Sequence, residues 1–232
     1  MDREVYRPSE ADRRPLASRS WKASERISHW LAQRGASANG ISVAGMAAGG
    51  LAGALFAVTP HLSGPSLVAA WLAGAVFVQA RLAANLLDGM VAIESGKASR
   101  VGELFNEVPD RVSDAAILIG LGYASGGIPW LGYLAAVLAL FVAYVRSAAR
   151  NAGAPQDYSG PMAKPHRMFA VTVTAVLCAI VGPGRGWPAI ALGLIVAGCV
   201  ITAVRRLVRA GRYLRVRPGQ AGAEAEARGA TS

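Results

Sequence analysis

Charge is scarce in this chain. Only 16% of its 232 residues are Asp, Glu, Lys or Arg, against about 25% in an ordinary soluble domain. Acidic residues are the rarer sign, 14 against 24 Lys and Arg. Cysteine is limited to Cys178 and Cys199, both inside apolar runs. That excludes a disulfide framework or a cysteine metal site and leaves two small buried hydrophobes. No cleavable signal peptide is visible, because the first 36 residues are polar and Arg-rich with no apolar core. There is no repeat at a fixed period.

What the chain has is apolar surface: 53% of its residues are hydrophobic. Several runs reach the roughly 17–25 residues needed to cross a bilayer. These features predict an all-α membrane protein, a six-transmembrane-helix bundle. The expected spans are 38–58, 66–93, 102–124, 128–151, 167–183 and 187–210. The net charge of +10 does not imply nucleic acid. Its Arg residues gather at the ends and in short loops, where membrane lipids with anionic headgroups are the partners. The connections "TPHLSGPS", "YASGGIPW" and "GPGRGW" hold one Arg between them, and the opposite side holds the rest. That asymmetry predicts a multi-pass protein of the cell (inner or plasma) membrane with both termini cytoplasmic.

Residues 18–34, "SRSWKASERISHWLAQR", set Trp21, Ile27, Trp30 and Leu31 on one face among Lys and Arg. This is the pattern of an amphipathic helix lying in the membrane interface; a helix packed on the bundle is the alternative. The expected organisation is an N-terminal cytoplasmic or interfacial segment at 1–36, a transmembrane domain at 37–212, and a disordered tail at 213–232.

One stretch resists the apolar pattern: "NLLDGMVAIESGKASRVGELFNEVPDRVSD", residues 85–114. Ionisable groups at membrane depth face the bundle interior or a wet cavity and mark function. Arg81, Asn85, Asp88 and Ala92 share a face at i, i+4, i+7 and i+11 of the second span. Asn106, Asp110 and Asp114 recur every four residues on the third. The short loop between them makes the two spans antiparallel neighbours, so two oxygen-bearing faces meet. Such oxygens are hard ligands suited to Mg²⁺, Mn²⁺ or Ca²⁺. Gly89 and Gly102 let a ligand approach the backbone, and Pro109 frees the Phe105 carbonyl from its helical partner. The competing reading is a buried polar network that orients helices, with Asp110 and Asp114 paired to Arg111 or Arg81.

The same residues carry a resemblance. They are similar to the signature of the CDP-alcohol phosphatidyltransferase family, D-x2-D-G-x2-A-R-x8-G-x3-D-x3-D. Asp88, Gly89, Ala92, Gly102 and Asp110 match it at the right spacing; Asn85, Asn106 and Ile93 stand where the pattern has Asp, Asp and Arg. "ASANGISVAGMAAG" resembles the start of the family's first span, where an Asn precedes an Ile and a hydroxyl residue. The resemblance covers about residues 37–212. It implies six spans, a homodimer, one or two Mg²⁺ or Mn²⁺ ions on Asn85, Asp88, Asn106 and Asp110, and phosphotransferase chemistry of the EC 2.7.8 type in phospholipid biosynthesis. A phosphatidyl group would pass from a CDP-linked lipid, CDP-diacylglycerol, to an alcohol acceptor with release of CMP. Asp110 would be the general base, with Asp114 the alternative. Each Asn removes one negative charge from the pattern's ligand set.

A second basic cluster, "YVRSAARNAGAPQDYSGPMAKPHRM", holds Arg146, Arg150, Lys164 and Arg167. These are expected to converge on the cytoplasmic side and bind an acceptor phosphate or the donor headgroup, or to serve as positive-inside anchors; Arg81 is expected to hold a diphosphate oxygen or to form a salt bridge with Asp88. Two other readings of the chain stay open: a Mg-dependent enzyme processing a prenyl diphosphate, and an inactive member of the family acting as a partner protein.

Overall fold

The computed structural model describes residues 22–96 and 100–216; the side chains of residues 22, 23, 100, 101 and 103–106 are outside the described set. The expectations for residues 1–21, for the loop at 97–99, for the tail from 217 and for the Asn106 side chain therefore lie outside the described residues.

Among the described residues, seven α-helices follow one another: α1 (Lys22–Gln33), α2 (Ala38–Val58), α3 (Gly64–Glu94), α4 (Arg100–Tyr123), α5 (Pro129–Asn151), α6 (Lys164–Val181) and α7 (Trp187–Val216). A 3₁₀ turn, Thr59–His61, joins α2 to α3. No strand occurs among the described residues. Five helices, α2, α3, α5, α6 and α7, are long and apolar enough to cross a membrane. The protein is a multi-pass, all-α membrane protein. The remaining long helix, α4, has 24 residues and would reach about 36 Å; its Ser113 and Asp114 are buried.

Two boundaries depart from expectation. Helix α6 begins at Lys164 instead of 167, with Pro165 in its first turn. Proline fits there because its fixed φ suits a helix and its missing N–H would have had no intrahelical partner. Helix α7 continues to Val216, so residues 213–216 are helical and the tail assigned to 213–232 starts too early. Arg favours helix, and cations at a helix C-terminus complement its dipole.

The α3–α4 pairing also needs correction. These helices meet mainly at their polar ends, whereas α2 packs extensively against both. Glycine makes this possible. A Cβ on Gly49 would fall 2.4 Å from Ser113 Cβ, and one on Gly53 only 2.3 Å from the Ala116 carbonyl oxygen. Backbones approach this closely only where side chains are missing. Above the seam, Phe56 and Trp71 stack at 5.5 Å between ring centroids and join Val78, Ile117, Leu118, Leu121, Leu192 and Ile195 in the core. The outward faces carry Val76, Val137, Ile180 and Leu194, apolar side chains directed at lipid.

Helix α1 lies against the end of α3, with His29 Nδ1 3.8 Å from the Glu94 carboxylate. Ser28 is buried, while Ile27 and Trp30 are half exposed. Arg34 covers the Trp30 ring at 4.2 Å. The helix thus packs on the bundle and still presents an apolar edge.

Gly53→Val is expected to wedge α2 from α4 and cost about 1–3 kcal/mol, the usual range for overpacking. Gly50, three residues earlier and facing open space, is the control: Gly50→Val should leave thermal unfolding in detergent unchanged. Equal melting temperatures for the two variants would show that the seam is not tight.

Candidate active site

Helix periodicity brings Arg81, Asn85 and Asp88 to one side of α3. Facing them from α4 are Asp110, Ser113 and Asp114; Lys164 and Arg167 enter from the first turn of α6, and Ser42 from α2. Arg81 is 1% exposed. Its Nε donates to Ser113 Oγ at 2.8 Å, and its Nη2 donates to Asp110 Oδ1 at 2.7 Å and to the Asp110 carbonyl at 3.0 Å. The same Nη2 lies 2.8 Å from Asp114 Oδ1. That last pair is a charge contact without hydrogen-bond alignment, since Asp114 Oδ1 and Arg81 Nη1 have no aligned partner. Arg81 therefore belongs to Asp110 and Asp114, not to Asp88.

Asp110 is engaged on both oxygens and keeps an acceptor site on Oδ2. Besides Arg81, its Oδ1 accepts from Asn85 Nδ2 at 2.8 Å, and its Oδ2 accepts from Lys164 Nζ. Lys164 also donates to Asn85 Oδ1 at 3.0 Å. Asp114 is 2% exposed and receives Arg167 Nη2 at 3.4 Å; Arg167 Nη1 caps the Met162 carbonyl at 3.0 Å. Asp88 is held differently, by neutral donors only: Ser42 Oγ at 2.7 Å and the Gly89 N–H at 2.6 Å. Burying so many charges in an apolar bundle is tolerable because each is hydrogen-bonded, and Asp110 and Asp114 are ion-paired as well.

Asn85, Asp88 and Asp110 line one cavity with Ser42, Arg81 and Ser113, and its volume is about 10 Å³. That is room for one water or one small ion. Asp114 is not part of the lining. The oxygens that would hold a divalent cation there are those of Asp88 and Asn85, with Asp110 opposite. No group of three or more His, Cys, Asp or Glu suited to a metal occurs among the described residues. The donor set fits one ion beside Asp88 better than two. Ala92 continues the face as a half-buried residue, and Gly102 sits half-buried near the start of α4.

The four cations of the second cluster do not converge. From the first turn of α6, Lys164 and Arg167 join the carboxylates. Arg146 and Arg150 stay at the end of α5, near a larger cavity of about 310 Å³ lined by Arg146, Gln156, Asp157, Arg206, Arg209 and Tyr213. Arg146 donates to Glu107 at 2.6 Å and stacks over Tyr158 at 5.1 Å. Glu107 also takes Arg111, one turn along α4. The Gln156 oxygen, in the amide orientation that satisfies both neighbours, accepts from Arg150 Nε at 3.2 Å. Arg206 is 5% exposed and donates to the Ser159 and Val142 carbonyls, each at 3.1 Å. Sequence reasoning missed Ser113 and Arg206. The hydroxyl that holds Asp88, Ser42, was visible as the polar residue in the first-span motif.

Known proteins resemble this chain along most of its length. Residues 36–212 match the model of the family described as CDP-alcohol phosphatidyltransferase. The inner membrane protein YnbA of Escherichia coli is 26% identical over 158 residues, covering 68% of this chain and 76% of that protein. The phosphatidylinositol phosphate synthase of Mycolicibacterium smegmatis is 27% identical over 153 residues, 63% of this chain and 67% of that one. The archaetidylinositol phosphate synthase of Pyrococcus horikoshii is 30% identical over 158 residues, 67% and 78%. Two crystal structures of the Mycobacterium tuberculosis phosphatidylinositol phosphate synthase share the fold at 23% identity. The complex with manganese and citrate has a TM-score of 0.68, over 81% of this chain and 88% of that one. The form with CDP-DAG bound has a TM-score of 0.67, over 82% and 94%.

Removing one partner from a buried charge pair leaves the other uncompensated, at a cost of about 3–5 kcal/mol. Arg81→Met is therefore expected to lower thermal stability in detergent by an amount in that range. Replacing Asp114 as well, in Arg81→Met/Asp114→Leu, should recover part of the loss. A single variant as stable as the parent would mean that the Arg81 contacts are not formed in the folded protein.

Proposed function

Because this chain belongs to the CDP-alcohol phosphatidyltransferase family, we propose that it transfers a phosphatidyl group from CDP-diacylglycerol to an alcohol hydroxyl, releasing CMP. The observation that carries this reading is the shared cavity of Asn85, Asp88 and Asp110 at the polar end of the bundle. A structure related to this one has CDP-DAG bound, and another holds manganese, which supports the donor and the cation. Mg²⁺ or Mn²⁺ would be held by Asp88 with Asn85 and Asp110, and by Asn106 one turn before Asp110. Such an ion, when bound, supplies positive charge to the diphosphate.

The chain's own residues do the rest. Asp110 accepts the proton of the acceptor hydroxyl as general base. The acceptor oxygen forms its bond to the phosphatidyl phosphorus while the bond from that phosphorus to the CMP oxygen breaks, and CMP leaves. Asp110 is preferred over Asp114 because it lines the cavity, whereas Asp114 is enclosed between Arg81 and Arg167. Ser42 and the Gly89 N–H fix the Asp88 carboxylate. Arg81 and Ser113 fix Asp110 from behind.

The acceptor is proposed to be a polyol that carries its own phosphate. Two of the relatives are inositol phosphate lipid synthases by name. The larger cavity, with Arg146, Arg206 and Arg209 on its wall, has the cation density and the size for such a group. Both cavities are assigned to the cytoplasmic side, with both termini, from the Lys and Arg distribution.

Two measurements test this reading. Purified protein with CDP-diacylglycerol and a phosphorylated inositol should release CMP. Asp110→Asn should lower turnover by about 10²–10⁴-fold, the usual worth of a general base, and Asp114→Asn should keep more activity while losing stability. The reverse order would move the base one helical turn, and inorganic diphosphate as product would replace the reading with prenyl-diphosphate chemistry. For topology, a cysteine placed at Ser63 should label from outside intact cells and one at Ser95 only after permeabilisation. External labelling at Ser95 would invert the orientation.

A further inference from the structure

Three carboxylates and three cations gather at the polar end: Asp110 and Asp114 are ion-paired with Arg81, Lys164 and Arg167, and Asp88 lies beside them on neutral donors. All but Asp110 are less than 5% exposed. The formal charges of these six cancel, and neighbouring Arg111 is paired with Glu107. Asn85 and Asn106 add none. The family pattern, with Asp at both of those positions, gathers four carboxylates where this chain has two.

Lys164 is the residue that changes the balance. Its ammonium bridges Asn85 Oδ1, at 3.0 Å, and Asp110 Oδ2, two of the oxygens expected to hold metal. It is 4% exposed, so it is fixed in the site and does not wave at its mouth. We propose that Lys164 is a built-in cation standing where a divalent ion would otherwise bridge Asn85 and Asp110. The site then takes a single divalent cation beside Asp88, and takes it together with the diphosphate of the donor. This rests on the metal-assisted reading of the function.

The physical reason is charge. Adding two positive charges to a neutral, buried cluster leaves them uncompensated, which is costly at low dielectric. The donor's diphosphate brings two negative charges, and ion and donor then enter as a neutral pair. The space agrees, since the cavity of about 10 Å³ admits one small ion and not two. By linkage, whatever factor the donor adds to cation affinity the cation adds to donor affinity.

The test is Mn²⁺ binding to the purified full-length protein in detergent, followed by electron paramagnetic resonance. It is run without donor, with CMP, and with CDP-diacylglycerol, against protein-free micelles of the same composition. One Mn²⁺ per chain is expected with CDP-diacylglycerol, with an affinity at least about 100-fold weaker in its absence, a coupling within the usual range for linked sites. Lys164→Met and, separately, Asn85→Asp/Asn106→Asp should each bind Mn²⁺ without donor, because each restores uncompensated negative charge. Donor-independent binding of one or two Mn²⁺ by the parent protein overturns the inference and leaves the metal-assisted function standing. No Mn²⁺ under any condition, together with full CMP release in excess EDTA, overturns both. Should either variant fail to fold, the donor dependence of the parent protein decides.

Discussion

A charge inside an apolar bundle must find its partner inside the bundle. Lipid offers none, and an unpaired buried ion costs several kcal/mol. That constraint orders the polar end of this protein. Arg81 reaches across to Asp110 and Asp114, Lys164 closes on Asp110, and Arg167 closes on Asp114. Three helices, α3, α4 and α6, are held in register by these contacts, because a shift of one residue in any of them would strand a charge. The network that orients helices and the site that could handle a diphosphate are the same atoms. Reading one as an alternative to the other was a false choice.

The apolar half of the molecule serves that register. Helix α2 lies in the groove between α3 and α4, pressed against α4 through Gly49 and Gly53. Only at that depth does Ser42, near the start of α2, reach Asp88 on α3 with a 2.7 Å hydrogen bond. A bulkier seam would lift α2 and withdraw the hydroxyl. The position of one site oxygen thus depends on missing side chains two and three helical turns away.

Much of this was legible in the sequence, for physical reasons. Length and apolar composition located the helices within a few residues, because the bilayer fixes how long such runs must be. The Asp88 to Asp110 spacing pointed to the candidate site, because ionisable residues at membrane depth stand out from an apolar run. Lys164 and Arg167 were placed at the start of a span, but their carboxylate partners were not legible, because a linear pattern does not say which neighbouring helix a side chain meets. Arg206 was hidden in a run of arginines that looks like a lipid anchor; only the fold shows one of them turned inward to carbonyl oxygens. The central position of α2 was illegible, because adjacency in the chain suggested that α3 and α4 would pair directly.

Glu107 connects the two cavities. It lies on α4 one turn before the general-base candidate Asp110, and it holds Arg146, which lines the larger cavity. Helix α4 is therefore a single shaft carrying a contact for each chamber. Turning it to re-aim Asp110 would carry Glu107 with it and loosen its contact with Arg146, so a change of shape in one chamber would be felt through α4 in the other.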